Sequence, residues 1–194
     1  MASRARRLEY EDAELIFIDE TASDERSANR RFGWSKADAE ADDVLPLRRS
    51  ERHSVLPALT INGWLEDATL LVKGGVTAEV FETWLELVLL PLLKQRSRRV
   101  VVIMDNVAVH HSARVPELSI DAGIEFDYLP PYSPDFNPTE ATFQDMKAWM
   151  KRNRQLLHNI ADFEVFLYMV IHLAGGRNAA AHFRHAGYTQ GQII

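Results

Sequence analysis

The sequence predicts a mixed α/β fold, one sheet with an antiparallel hairpin half and a parallel half, flanked by helices. Three features point to it. The runs Leu15-Ile16-Phe17-Ile18 and Val100–Met104 are continuously apolar, the mark of strands buried on both faces. A looser alternation over residues 53–61 meets Asn62-Gly63, a strong hairpin signal, with residues 68–73 as the return strand. Beyond them, strand-like and helix-like segments alternate, which sets strands parallel with helices packed across them.

Taken in order, residues 21–50 are polar and broken by Gly33 and Pro46, with one short strand expected over 31–35. After Gly74-Gly75, Thr77 can cap a helix whose apolar positions Val80, Phe81, Trp84, Leu85, Val88 and Leu92 recur at helical spacing. Residues 112–122 form a further helix closed by Gly123, and 124–129 a strand leading into the rigid loop Pro130-Pro131-Tyr132-Ser133-Pro134. A long helix is expected over 138–153 and another over 160–173, with fraying from Gly175 on. This divides the chain into a leader (1–13), a main domain (14–154) and a C-terminal helix and tail (155–194).

At 194 residues, 46% apolar and 26% charged, the chain has the composition of an ordinary globular domain. It holds no cysteine, which excludes disulfide scaffolds, Cys-ligated zinc, iron–sulfur clusters and thiol nucleophiles. The longest apolar stretch is cut by Glu86 and Pro91, too short for a membrane span, and no secretory signal opens the chain, so an intracellular, soluble protein is expected. Net charge is −6, but residues 9–43 carry twelve acids against four bases, leaving the remainder slightly basic. Bases cluster at Arg48, Arg49 and Arg52, at Lys94, Arg96, Arg98 and Arg99, and at Lys147, Lys151, Arg152 and Arg154. Each cluster reads equally as a solvated face, so charge alone neither establishes nor excludes a polyphosphate partner.

Two apolar strands end alike, in Asp19 and in Asp105. As parallel neighbours they would bring both carboxylates to the C-terminal edge of the sheet, where open α/β sheets hold ligands. Paired, partly desolvated carboxylates repel, so a proton or a cation belongs between them. Oxygen donors without cysteine suit a hard cation such as Mg²⁺ or Mn²⁺. Either Asp alone could simply end its strand. Glu140 is a third candidate. Asn137-Pro138-Thr139-Glu140 reads as a helix start with Asn137 as cap, and Glu140 could serve only that cap. Yet Phe143, Met146 and Met150 form the apolar stripe of this helix, while Glu140, Gln144, Lys147, Lys151 and Arg154 share a polar face. An acid in the first turn with bases along the same face suits a metal ligand beside a phosphate backbone, and the helix N-terminus helps keep it ionised.

These residues resemble a known family. Val102-Ile103-Met104-Asp105-Asn106 with His110, followed by the block from Tyr128 through Pro130-Pro131-Tyr132-Ser133-Pro134 to Asn137-Pro138-Thr139-Glu140, resembles the catalytic core of mariner-superfamily DDE transposases. Phe17-Ile18-Asp19-Glu20, Phe32-Gly33-Trp34 and the segment from Arg49 to Ala58 resemble the opening strands of the same domain. The resemblance covers about residues 14–154. It implies a ribonuclease-H-like fold, with Asp19, Asp105 and Glu140 as the catalytic, metal-binding triad. Two departures stand out: Thr139 where the family often has Ile, and a start close to the first catalytic strand, where full-length members first carry helix-turn-helix domains.

The chemistry implied is phosphodiester cleavage assisted by two divalent ions, with water or a DNA 3′-hydroxyl as nucleophile. Asp19 would bridge the ions, and Asp105 and Glu140 would complete their coordination. Asn106, His110 and Asn137 are expected in support, and Arg49, Arg52, Lys147, Lys151 and Arg154 as DNA contacts. The expected partners are DNA and a second copy in a homodimer, with no membrane. The expected location is the nucleus in a eukaryote and the cytoplasm otherwise. Two other readings stay open. One is a truncated or domesticated relic that binds DNA or a protein without catalysis; the other is a structure-selective nuclease of the same fold.

Overall fold

The computed structural model describes residues 10, 14–29, 35–38, 51–160 and 162–188. The strand expected over 31–35 therefore falls almost wholly outside the described residues, and Ser35 belongs to no regular element. The main sheet has five strands in the order β5-β4-β1-β7-β8. β1 (Glu14–Ile18), β7 (Val100–Met104) and β8 (Glu125–Tyr128) are parallel, whereas β4 (Ala58–Thr60) and β5 (Gly63–Trp64) run antiparallel as a hairpin. The expected two-part mixed sheet is present.

The continuous apolar runs are explained by two cores, one on each face. Leu15, Phe17, Val101 and Ile103 point into one core, shared with Phe143, Met146, Met150 and Phe166. Ile16, Ile18, Val100, Val102 and Met104 point into the other, against Phe81, Trp84, Leu85 and Val115. Alternate residues serve opposite faces, so from Leu15 to Ile18 and from Val100 to Met104 neither strand carries a polar residue before it leaves the sheet.

The strand expected over 53–61 is broken at Pro57. β3 (His53–Leu56) pairs with β2 (Thr21–Ser23) and β6 (Leu70–Lys73) in a separate three-stranded sheet, while β4 stays beside β1. Proline has no N–H to give a ladder, and this is where the strand changes sheets. The return strand expected over 68–73 is β6, reached from the hairpin through β5 and a 3-10 turn at Glu66–Ala68.

Thr77 caps the next helix, accepting from the Val80 N–H. This helix, α1 (residues 78–93), widens to a π turn at Leu85–Leu89 just before Pro91, which cannot donate a helical N–H to Leu87. The extra residue rotates the helix. Leu89 and Leu93 are buried, whereas Val88 is left 38% exposed, so the stripe expected through Val88 and Leu92 moves one residue on.

Further along are α2 (Arg114–Ala122), closed by Gly123 at φ +67°, and α3 (Pro138–Arg152). The helix expected over 160–173 is present as α5 (Phe163–Ala174), capped by Asp162, and a short helix that the pattern did not suggest, α4 (Arg154–Ile160), precedes it. No helix among the described residues is long and apolar enough to cross a membrane.

Fraying from Gly175 is also corrected. α6 (Ala179–His185) buries Phe183, and the Phe183 and Tyr188 rings pack edge-on against Phe17 with centroids 5.2 and 5.0 Å away. The Tyr188 hydroxyl donates to the Phe136 carbonyl at 3.0 Å. Residues 189–194 lie outside the described residues. Gly175 lets this segment turn against Trp64: a Cβ there would stand 2.4 Å from the Ile171 carbonyl oxygen and 2.7 Å from the Trp64 ring. Gly175→Ala is therefore expected to lower stability by about 2–3 kcal/mol, measured by denaturant unfolding.

Candidate active site

β1 and β7 pair in parallel with Ile18 opposite Met104, so Asp19 and Asp105 leave the sheet side by side. β8 joins at the same level, with Tyr128 opposite Met104 and the Leu129 N–H bonded to the Met104 carbonyl at 2.8 Å. The chain then crosses the strand ends as the proline-rich loop and enters α3. Together these segments enclose a cleft of about 380 Å³ whose lining includes Asp19, Asp105, Asn106, Asn137 and Glu140. Its other wall is Val107, Leu129, Pro130, Pro131, Tyr132 and Pro134, and among the described residues no basic one lines it.

Asp19 is the buried member, 8% exposed. One carboxylate oxygen accepts from the Glu20 N–H at 2.7 Å, and the other accepts from the Asn137 amide at 2.8 Å. Burial, reinforced by the neighbouring Asp105 and Glu140 charges, pushes its carboxyl up to about 7 despite the Glu20 hydrogen bond. Asn137 faces two ways, since its side-chain oxygen also caps α3 by accepting from the Thr139 N–H at 3.1 Å. The residue that starts the helix thus also holds the first aspartate.

Asp105 sits beside buried His110, whose ring packs on Phe81 at 4.5 Å. His110 Nδ1 is 2.8 Å from Asp105 Oδ1, but its N–H geometry serves the Asp105 carbonyl at 3.2 Å. Direction outweighs distance here. Asp105 Oδ1 is left buried without a hydrogen bond. Asn106 is bonded through its side-chain oxygen to His111 Nε2, and the His111 ring stacks on Tyr128 at 4.3 Å. Glu140 is exposed and lines the cleft. The cap of α3 is supplied by the Asn137 side chain.

All three acids are hard oxygen donors, and an orphaned acceptor stands among them; that set fits a divalent cation. Among the described residues, no three such groups converge closely enough to enclose an ion as the side chains stand. Asp19 is held by Glu20 and Asn137, so closing a cage requires side-chain rotation.

The structure brings together Asp19, Asp105, Asn106, Asn137 and Glu140, with His110 behind them. Of the basic residues expected to contact DNA, those among the described residues do not line the cleft. Lys147 and Lys151 follow Glu140 along α3, Arg154 begins α4 beyond a break at Asn153, and Arg52 stands exposed where β3 begins. Arg49 lies outside the described residues. In the Lys94–Arg99 cluster, Arg96 and Arg99 pair with Glu14 and Glu125 at the opposite ends of the strands. Val107 and Tyr132 are cleft residues that sequence reasoning passed over. The prolines around Tyr132 marked a rigid loop but gave no sign of where it would lie.

A mixed sheet carrying paired acids at its parallel strand ends, with a third acid across a cleft, defines the class of ribonuclease-H-like metal nucleases. The chain belongs to the DDE superfamily endonucleases, whose family model matches residues 14–161. The resemblance read from the sequence holds at that level. No curated protein sequence matches the chain. Among solved structures, it is similar to the pre-cleavage Mos1 transpososome (17% identity, TM-score 0.62, covering 99% of this chain and 60% of that one). It is also similar to the Mos1 mariner paired-end complex with Mn (17%, 0.62, 99% and 60%). A third is the catalytic domain of Mos1 mariner transposase (17%, 0.55, 99% and 89%). At these identities the likeness shows the fold. The chain spans about 60% of the length of the protein in the two Mos1 complexes.

Asp19 carries a testable pH signature. Its folded-state pKa lies above the ordinary value, so an unfavourable contribution grows as pH rises from about 4 and is complete above about 7. Without added metal, Asp19→Asn is expected to stabilise the fold at pH 8 by on the order of 3 kcal/mol. The gain should shrink toward zero near pH 4, as pH-dependent denaturant unfolding would reveal. Thr139 gives a second prediction. It is fully buried and its hydroxyl has no partner, in a position where the family often carries Ile. Thr139→Val should raise stability by about 1 kcal/mol in calorimetry.

Proposed function

We propose that this chain is the catalytic domain of a DDE transposase that cuts and joins DNA strands using Mg²⁺ or Mn²⁺. The observation that carries this reading is the meeting of Asp19, Asp105 and Glu140 on one cleft from elements far apart in the chain. The Mos1 structures are of a transposase in DNA complexes, with Mn in one and Mg in another, and they support the same substrate and ions here.

Asp19, Asp105 and Glu140 would hold the ions. When bound, two such ions activate the attacking oxygen and stabilise the leaving one. The protein's own groups set up the arrangement. Asn137 fixes the Asp19 carboxylate, and the His110 N–H holds the Asp105 backbone. With the Asn106 oxygen engaged by His111, its amide N–H₂ is the group left to donate to a phosphate oxygen. Three acids on one cleft repel a phosphate backbone, a repulsion that cations held there would relieve. Lys147 and Lys151, on the helix that carries Glu140, would receive the strand as it leaves the cleft.

The relic reading is not favoured, because the acidic trio and its supporting hydrogen bonds are intact. Nicking of supercoiled plasmid provides the test. The wild-type chain should nick in Mn²⁺ or Mg²⁺ and not in chelator, and Asp105→Ala should lower the rate at least about a hundredfold. Equal residual nicking by wild type and Asp105→Ala would overturn the proposal.

A further inference from the structure

The apolar wall of the cleft is unused by the chemistry described above. Its most prominent member is Tyr132, fully exposed at 103% in the middle of the loop over the strand ends. The backbone of Tyr132 is left-handed, with φ +55°. An aromatic residue rarely adopts that region, and such strain is kept where the surrounding chain enforces it. Three prolines, Pro130, Pro131 and Pro134, stiffen the loop around it, since each fixes its own φ. The ring stands out from that loop into solvent at the cleft. Across the same cleft Val107 is 43% exposed, a second apolar surface without a partner in the core.

We infer that Tyr132 is a nucleobase-stacking platform, with Val107 as its apolar counterpart, that receives an unpaired base next to the phosphate held at the acidic trio. The inference rests on the nuclease reading above and deepens it by naming the form of DNA that the cleft takes. Phosphate is a poor candidate for this wall, because among the described residues none that lines the cleft is basic and three carboxylates stand across it. A base offers a flat apolar face, stacks on an aromatic ring whatever its identity, and leaves its own phosphate free to reach the acids. A base within an intact duplex is already stacked on both sides, so the platform favours bases that have lost a neighbour: at a bulge, a nick or a frayed end.

The test uses the full chain and a DNA duplex carrying 2-aminopurine as a single-nucleotide bulge, with the fully paired duplex as control, titrated in Ca²⁺. Wild type is expected to quench the bulged probe and to bind it about tenfold more tightly than the paired one. Tyr132→Phe should keep both effects. Tyr132→Asn retains a residue that tolerates the left-handed backbone but removes the ring, so it should lose the quench and the preference while binding paired DNA as wild type does. Circular dichroism and melting temperature report whether each variant is folded. Equal wild-type affinity for the two probes, or an Asn variant that quenches and prefers the bulge as wild type does, would overturn the stacking role. A separate assay with Mn²⁺ distinguishes the two levels. If wild type cuts no DNA at all, the nuclease reading fails; if it cuts while Tyr132→Asn keeps the bulge preference, only the platform fails.

Discussion

The pairing of β1 with β7 is the constraint on which the rest of the structure depends. The two strands run parallel and in register, and both stop at the same level, so the next residue of each, Asp19 and Asp105, is delivered to the same place. Both strands are buried on both faces, which makes slippage costly. A one-residue shift would exchange the two cores and separate the acids. Site geometry is thus secured by hydrophobic burial some distance from the chemistry. The electrostatic cost of two adjacent carboxylates is carried by a sheet that cannot relax to relieve it.

Asn137 links this pair to the third acid. One end of its amide holds Asp19, and the other starts the helix on which Glu140 occupies the first turn. The position of Glu140 relative to Asp19 therefore does not depend on the flexibility of the proline-rich loop alone. A helix cap is an ordinary device for satisfying free N–H groups. Here the same device aligns two parts of the cleft, and Asn can do this because its amide both donates and accepts.

Much of this was legible in the sequence because it depends on local pattern. Continuous apolar runs ending in Asp, a cap followed by Pro and Glu, and a turn signal between alternating segments each reflect a few adjacent residues. What escaped depends on contacts between distant ones. Pro57 was visible, but that a strand would pass there from one sheet to another was not. The π turn before Pro91 adds one residue and moves the buried stripe from Val88 to Leu89, a shift that a fixed period of 3.6 cannot anticipate. The bond from Asn137 to Asp19 spans 118 residues, and no local pattern encodes it. The basic clusters show the same limit. Composition groups Lys94 to Arg99 with the others, yet Arg96 and Arg99 serve the far ends of the strands.

The aromatic backing of β1 has a consequence for the order in which contacts can form. Phe17, two residues before Asp19, is covered by Phe183 and Tyr188, and Tyr188 also ties down the carbonyl of Phe136 just ahead of Asn137. The cover over Phe17 is complete only once the segment carrying Phe183 and Tyr188 has come back over it. Closing such a long loop is slow compared with forming helices and hairpins. The strand that delivers Asp19 is therefore among the last parts of the fold to be sealed.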